Sequence, residues 1–263
     1  MEIKALDNQR SFKISPIPLT SFLMYVVGAR GLGKSTMLIN MLLNKNMLSK
    51  RFHQIYIISP TAILDSKFDI LRDSEITIPN KKLIALLKKL NKKKDIFEPI
   101  PHNEHIENSA LPIEFKEEID LDFLKDIIEE QKYVVSSFGK QYADKILFIF
   151  DDMIGSKIFD SRPFKQFIYR SRHYEISNIV LSQSYYAFPK TLRLNISELI
   201  LFEISNIREL KDIYNENNSG LEEKEFLELY KGIMEESFSF LTINFFNPKK
   251  YRLYKNFSTP LIL

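Results

Sequence analysis

The sequence predicts an α/β fold: a mostly parallel, doubly wound sheet with helices on both faces and an antiparallel β-hairpin near the C-terminal end. Three observations carry this expectation. An apolar run at Phe22–Val27 ends in a glycine-rich loop that opens directly into a helical pattern. A second apolar run, ILFIF, ends in the pair Asp151–Asp152. Between and beyond them, strand-like and helical segments alternate along the chain. Such alternation is characteristic of parallel sheets, whose ligand sites lie at the C-terminal ends of the strands.

The first segment is the most informative. Gly28-Ala29-Arg30-Gly31-Leu32-Gly33-Lys34-Ser35 fits G-x-x-x-x-G-K-S/T at every fixed position, the pattern of a phosphate-binding loop. Glycines let the backbone turn its N–H groups inward around phosphates. Lys34 is expected to neutralise the β- and γ-phosphates and the Ser35 hydroxyl to ligate Mg²⁺, while the helix that begins there adds its N-terminal dipole. With Thr36, these residues form the expected nucleotide-binding set. The flanks agree with the motif: Phe22–Val27 is β-branched and aromatic, and Leu38, Met41 and Leu42 recur at helical spacing.

Composition bounds the rest. The 263 residues are 44% hydrophobic and 27% charged, ordinary for a soluble α/β protein. The expected organisation is an arm over residues 1–21 followed by one domain over 22–263, with the hairpin at about 237–258. No basic segment followed by an apolar run opens the chain, and no uninterrupted apolar stretch reaches about eighteen residues, so neither export nor membrane spanning is supported and an intracellular protein is expected. Cysteine is absent and histidines number four, which excludes disulfides and thiolate metal sites. His102 and His105 read as solvated loop residues. A formal net charge of +3 neither demands nor forbids nucleic acid, so the placement of charge must decide.

In chain order, Gln54–Ser59 reads as a buried strand stopped by Pro60. A helix capped by Asn80 follows, with Leu83, Leu86, Leu87 and Leu90 on one face and a lysine-rich opposite face. Those lysines read as a solvated surface or a DNA contact. Residues 95–117 are polar and aperiodic and are expected to form an exposed loop. A helical pattern runs from Leu121 to Tyr142. The strand at 146–152 then ends in acid, the Walker B pattern, with Asp151 expected to hold Mg²⁺ through water and Asp152 to orient the attacking water. Residues 160–174 are helical and carry Arg170, Arg172 and His173. Ile179–Gln183 is the next strand; if it lies between the two motif-bearing strands, Gln183 arrives beside the γ-phosphate. A short helical turn with Arg193, a strand from Glu198 and helical material over 206–235 complete the series. The tail alternates as a hairpin does, its Lys249, Lys250, Arg252 and Lys255 interleaved with aromatics.

These residues resemble a known group. The loop GARGLGKS, Ser59-Pro60-Thr61, FIFDD with Met153, the run Arg170–His173 before VLSQSY, and Arg193-x-Asn195 are similar to the genome-packaging ATPases of poxviruses, other large DNA viruses and virophages. Those belong to the FtsK/HerA superfamily of ring-forming P-loop NTPases, with a RecA-like sheet. The resemblance spans roughly residues 22–205. It implies ATP and Mg²⁺ as ligands, with Lys34 and Ser35 on phosphate and metal and Asp151 on metal. It further implies Asp152 as catalytic carboxylate, Gln183 as polar sensor, and Arg172 or Arg193 as a finger reaching a neighbouring subunit. Superfamily members commonly carry Asp-Glu at Walker B, where this chain has the shorter Asp152. The implied partners are double-stranded DNA, further copies in a ring, and capsid or portal proteins, and the implied location is the cytoplasmic virus factory or the virion. Two other readings share the same residues: a helicase or partition motor, and a nucleotide-dependent assembly switch with little turnover. The second needs no water-positioning group and so leaves Asp152 and Gln183 without a task.

Overall fold

The computed structural model describes residues 15–44, 47–48, 50–62, 64–72, 112–153, 157–217 and 220–261. The expected helix after Asn80, its lysines, and His102 and His105 lie outside these residues.

A nine-stranded sheet in the order β3-β2-β4-β5-β1-β6-β7-β8-β9 forms the centre. Its strands are β1 Leu23–Val27, β2 Gln54–Ile58, β3 Ile113–Lys116, β4 Ile146–Asp151, β5 Ile176–Ser182, β6 Glu198–Leu201, β7 Leu241–Asn244, β8 Leu253–Lys255 and β9 Thr259–Leu261. The strands from β3 to β6 in that order are mutually parallel, and β7, β8 and β9 continue antiparallel. The expected α/β sheet with a C-terminal hairpin is therefore borne out, and the hairpin extends the main sheet rather than standing apart from it.

Alternation within β1 shows why the sheet is covered on both sides. Leu23, Tyr25 and Val27 face one apolar cluster, Met24 and Val26 the other, because successive side chains of a strand point to opposite faces. The helix α1 (Lys34–Leu43) seals the second cluster with Met37, Leu38, Met41 and Leu42, assisted by the short helix α2 (Asp69–Arg72). The first cluster is sealed by α3 (Leu121–Phe138), α4 (Arg162–Ser171), α6 (Ile207–Glu216) and α7 (Glu223–Met234), with the single turn α5 (Lys190–Arg193) at its margin. Each fully buried Phe, Leu or Ile here contributes roughly 1.5–3 kcal/mol relative to exposure. Helix starts follow local chemistry: the side chains of Asp120, Ser161 and Asn206 accept the free N–H groups at the openings of α3, α4 and α6.

One expectation needs correction. Ile113–Lys116 falls inside the segment expected to be an exposed loop, yet it forms the edge strand β3, paired with β2 from Ile55↔Ile113 to Ile58↔Lys116. Its side chains grade from buried Ile113 to exposed Glu114. The four-residue alternation is too short to stand out from its polar surroundings, and the hydrogen bonds that make it a strand come from β2. At the other margin, the described part of the N-terminal arm lies against the hairpin. The Ser15 carbonyl accepts from Asn244 and Asn247, and Arg51 donates to the Pro18 carbonyl.

Beneath this contact, Glu198 of β6 is 0% exposed and neither carboxylate oxygen has a hydrogen-bond partner among the described residues. Burial pushes its carboxyl well above the usual range, and Arg51 offsets this only in part. A raised folded-state pKa gives a stability contribution that is complete below the unfolded carboxyl value of about 4.3 and is lost as pH rises toward the folded value. Thermal unfolding followed from pH 5 to 8 should therefore show a melting temperature that declines with pH. In Glu198→Gln the decline should flatten, with a gain of about 1 kcal/mol or more at pH 8.

Candidate active site

Three parallel strand ends meet here. β5 lies between β1 and β4, in register with both: Val27 opposes Ser182, and Asp151 opposes Leu181. The condition set for Gln183 is met, since β5 separates the loop-bearing strand from the acidic one. At these ends opens a cavity of about 940 Å³ lined by Arg30, Lys34, Ser35, Asp151, Asp152 and Gln183. Gly31, Gly33 and Thr36 also line it, while Leu32 turns to a smaller neighbouring cavity.

The loop takes its shape from specific backbone needs. Gly33, at φ 93°, occupies the left-handed region and directly precedes α1. Gly28 has a different reason: a Cβ there would lie 2.5 Å from the Cβ of Phe202 at the end of β6. The Lys34 ammonium donates to the carbonyl oxygens of Gly28 at 2.6 Å and Ala29 at 2.9 Å, which holds it at the mouth of the loop. Burial lowers the pKa of Lys34 below the usual lysine value, against the opposing pull of Asp151 and Asp152.

Asp151 is 4% exposed, and its Oδ2 accepts from Lys67 Nζ at 3.0 Å. Lys67 also pairs with Asp65 at 3.0 Å. Burial raises the Asp151 carboxyl above its ordinary value despite Lys67, so a single ammonium does not offset the desolvation of this charge. The described residues contain no cluster of three or more His, Cys, Asp or Glu side chains suited to a metal. What they offer on a shared cavity is the Ser35 hydroxyl and the Asp151 carboxylate, with Asp65 and Asp152 also lining it. Such a donor set fits an ion that keeps waters and takes its remaining oxygens from substrate phosphates, as Mg²⁺ does.

Immediately after Asp151 the chain turns sharply. Asp152 has φ 55°, a left-handed conformation that Asp tolerates better than bulky residues but that still carries strain and concentrates at functional sites. This turn brings Asp152 Oδ1 to 2.9 Å from Gln183 Nε2, which donates to it. One carboxylate oxygen is thus held by the amide, and Oδ2 remains an acceptor.

A family model described as Poxvirus A32 protein matches residues 83–239, more than half of the chain. The chain belongs to that family. The match begins beyond the phosphate loop, so membership in the A32 family rests on the acidic strand, β5 and the helices that follow, independently of the G-K-S motif. Among solved structures, the genome packaging NTPase B204 of Sulfolobus turreted icosahedral virus 2, in complex with AMPPCP, is similar with a TM-score of 0.51 and 13% identity, over 89% of this chain and 96% of that one. The same protein in complex with ATP-gammaS gives a TM-score of 0.50 at 13% identity over the same shares, 89% and 96%. EssC (ATPases 2 and 3) from Geobacillus thermodenitrificans gives a TM-score of 0.52 at 12% identity, over 92% of this chain and 39% of that one. At such identities the similarity is one of fold. A comparison with curated proteins found no match. No helix among the described residues is long and apolar enough to cross a membrane.

In this A32-family chain the two arginines expected to act as fingers are placed elsewhere. Arg172 lies in the turn Arg172–Tyr174 directly before β5, hence at the start of the strand and at the opposite end of the strands from the cavity. Its carbonyl accepts from Lys140 in the turn that precedes β4. Arg170, at the end of α4, is on the same side. The expectation that these residues flank the nucleotide edge is wrong, because a segment feeding a parallel strand meets its N-terminal end.

Arg193 is 7% exposed and engaged within its own subunit. Its Nε and Nη2 donate to Glu216 at 2.9 and 3.0 Å, Nη1 donates to the Phe188 carbonyl at 2.6 Å, and its guanidinium stacks 4.3 Å from the Tyr185 ring centroid. The Tyr185 hydroxyl also donates to Glu216, and Glu209 accepts from Ser184 Oγ and the Tyr185 N–H. This network anchors the segment that follows Gln183. Lys67 was not legible in the sequence, where it is 84 positions from Asp151 and belongs to no motif.

Arg193 is buried in its bidentate pair with Glu216, while Glu216 is only partly buried and keeps Lys190 at 3.4 Å and the Tyr185 hydroxyl when Arg193 is removed. Arg193→Ala should lower stability by about 1.5–3 kcal/mol, the scale of charge-assisted hydrogen bonds lost, read from the denaturant midpoint. Arg172→Ala should stay within about 0.5 kcal/mol of the parent.

Proposed function

We propose that this protein is an ATP-driven motor that moves double-stranded viral DNA into a capsid. The observation that carries the reading is the Gln183–Asp152 contact at 2.9 Å, made on the same cavity as Lys34, Ser35 and Asp151. A module that only binds nucleotide has no use for an amide-held carboxylate beside the phosphate loop.

In this mechanism the loop N–H groups cradle the phosphates and Lys34 leaves the carbonyls of Gly28 and Ala29 to neutralise the β- and γ-phosphates. Ser35 and Asp151, the latter through water, would hold Mg²⁺, which would supply charge neutralisation on the phosphoryl oxygens. Lys67 keeps the Asp151 carboxylate oriented and partly compensated. Asp152 Oδ2 orients the attacking water and draws on its proton. Gln183 fixes Asp152 and links the state of the phosphate to β5, from which the Ser184–Tyr185–Arg193–Glu216 network carries the change outward.

Family membership supports the packaging role, and the genome packaging NTPase B204 has the same fold. The assembly proposed is a homo-oligomeric ring that works with capsid or portal proteins, inside the infected cell at the virus factory or in the virion. Basic segments draw DNA along by phosphate contacts.

ATP hydrolysis with and without duplex DNA tests this directly. Lys34→Ala should weaken nucleotide binding and abolish turnover, and Asp151→Asn should abolish turnover while nucleotide still binds. Normal turnover in either variant would overturn the site.

Duplex DNA should stimulate hydrolysis at about 50 mM salt, and the stimulation should fall steeply by about 200 mM as released counterions lose their advantage. Unstimulated hydrolysis at low salt would favour the assembly switch instead.

A further inference from the structure

The cavity has a second end. On the side of β1 opposite β5 and β4, it is walled by Met37 and Met41 of α1 and by Phe202, Phe240, Phe257 and Phe238. Phe202 and Phe240 are buried, with ring centroids 5.0 Å apart, and Phe240 meets Phe257 at 5.0 Å. Phe238 differs from these. It is 71% exposed, at φ 63°, a conformation that is costly for a bulky side chain and persists only where its surroundings impose it. Its Cδ1 comes within 3.5 Å of the point where a Cβ on Gly33 would sit, so the ring stands over the final glycine of the phosphate loop.

The polar end of the cavity accounts for the phosphates, with the terminal phosphate directed toward Asp152 and Gln183 between β1 and β4. A nucleoside attached to the other end of the phosphate chain leaves in the opposite direction, toward β6 and β7, where the aromatic wall stands. Asn40 of α1, like Met37 and Met41, also lines the cavity. A site of this kind holds a base by its face, and stacking tolerates different bases because each has a π-face.

We propose that Phe238 is the stacking platform for the base of the bound nucleotide, and that the subsite takes purine nucleoside triphosphates with little discrimination between adenine and guanine. The proposal rests on the nucleotide-binding reading above and adds the base subsite to it.

The test is equilibrium binding of ATP, GTP and tripolyphosphate, each with Mg²⁺, to the full chain and its variants by calorimetry. In the parent, ATP and GTP should bind within about threefold of each other. Phe238→Ala should weaken both by roughly tenfold or more and leave tripolyphosphate unchanged, whereas Lys34→Ala should weaken all three. The chain contains no tryptophan, so Phe238→Trp installs a single reporter. Its emission should be quenched by ATP and GTP and not by tripolyphosphate. Unchanged ATP affinity in Phe238→Ala, equal loss of tripolyphosphate binding, or a tryptophan indifferent to ATP would overturn the stacking role. GTP binding more than tenfold weaker than ATP would overturn the base tolerance. Failure of the parent to bind any of the three would instead overturn the nucleotide site itself.

Discussion

Everything in this molecule depends on the parallel registration of β4, β5 and β1. Because Val27 opposes Ser182 and Asp151 opposes Leu181, three strands end at one level and release their chains into one cavity. A slip of one residue in β5 would turn its apolar side chains to the wrong faces and remove Gln183 from Asp152. The two apolar clusters prevent this by specifying each face of each strand. Ile176 and Val180 belong to one cluster, Ile179 and Leu181 to the other. Packing thus sets the geometry in which the chemistry takes place.

Charge at the site is arranged with burial rather than against it. Asp151 is nearly inaccessible, and a lysine from a distant turn compensates it in part, which leaves its desolvation incompletely offset. Asp152, one residue later, is exposed, and Gln183 orients it. The two carboxylates differ because β4 ends between them, the first still within the sheet and the second on a left-handed turn beyond it. After β5, Arg193 and Glu216 tie the segment that follows Gln183 to α6. Arg193, which the resemblance implied as a finger, is engaged here by Glu216 of its own subunit.

β1 also divides the cavity by chemistry. On its β5 side lie carboxylates and an amide, suited to reaction; on its β6 side lie phenylalanines and methionines, suited to a flat apolar group. Gly28 is where the two meet, since its missing side chain admits Phe202 at the base of the aromatic wall. The hairpin, which from its composition might have served only as a lysine-blunted edge, continues the sheet and supplies Phe240 and Phe257 to that wall.

The sequence by itself determined what local chemistry dictates. The phosphate loop was legible because its function needs particular residue types at fixed spacing, and the apolar run before Asp151 because a buried parallel strand is apolar on both faces. The role of Gln183 was legible only as a condition on strand order. Tertiary structure decided the rest. Ile113–Lys116 becomes a strand through hydrogen bonds from β2, which no property of four residues announces. Arg172 and Arg193 were misplaced because proximity along the chain to Gln183 is not proximity in space: one lies a full strand length from Gln183, at the start of β5, and the other is drawn inward by Glu216. Lys67 and Phe238 belong to no motif at all. They reach the cavity from segments far apart in sequence, and only the folding of the sheet brings those segments to the same edge.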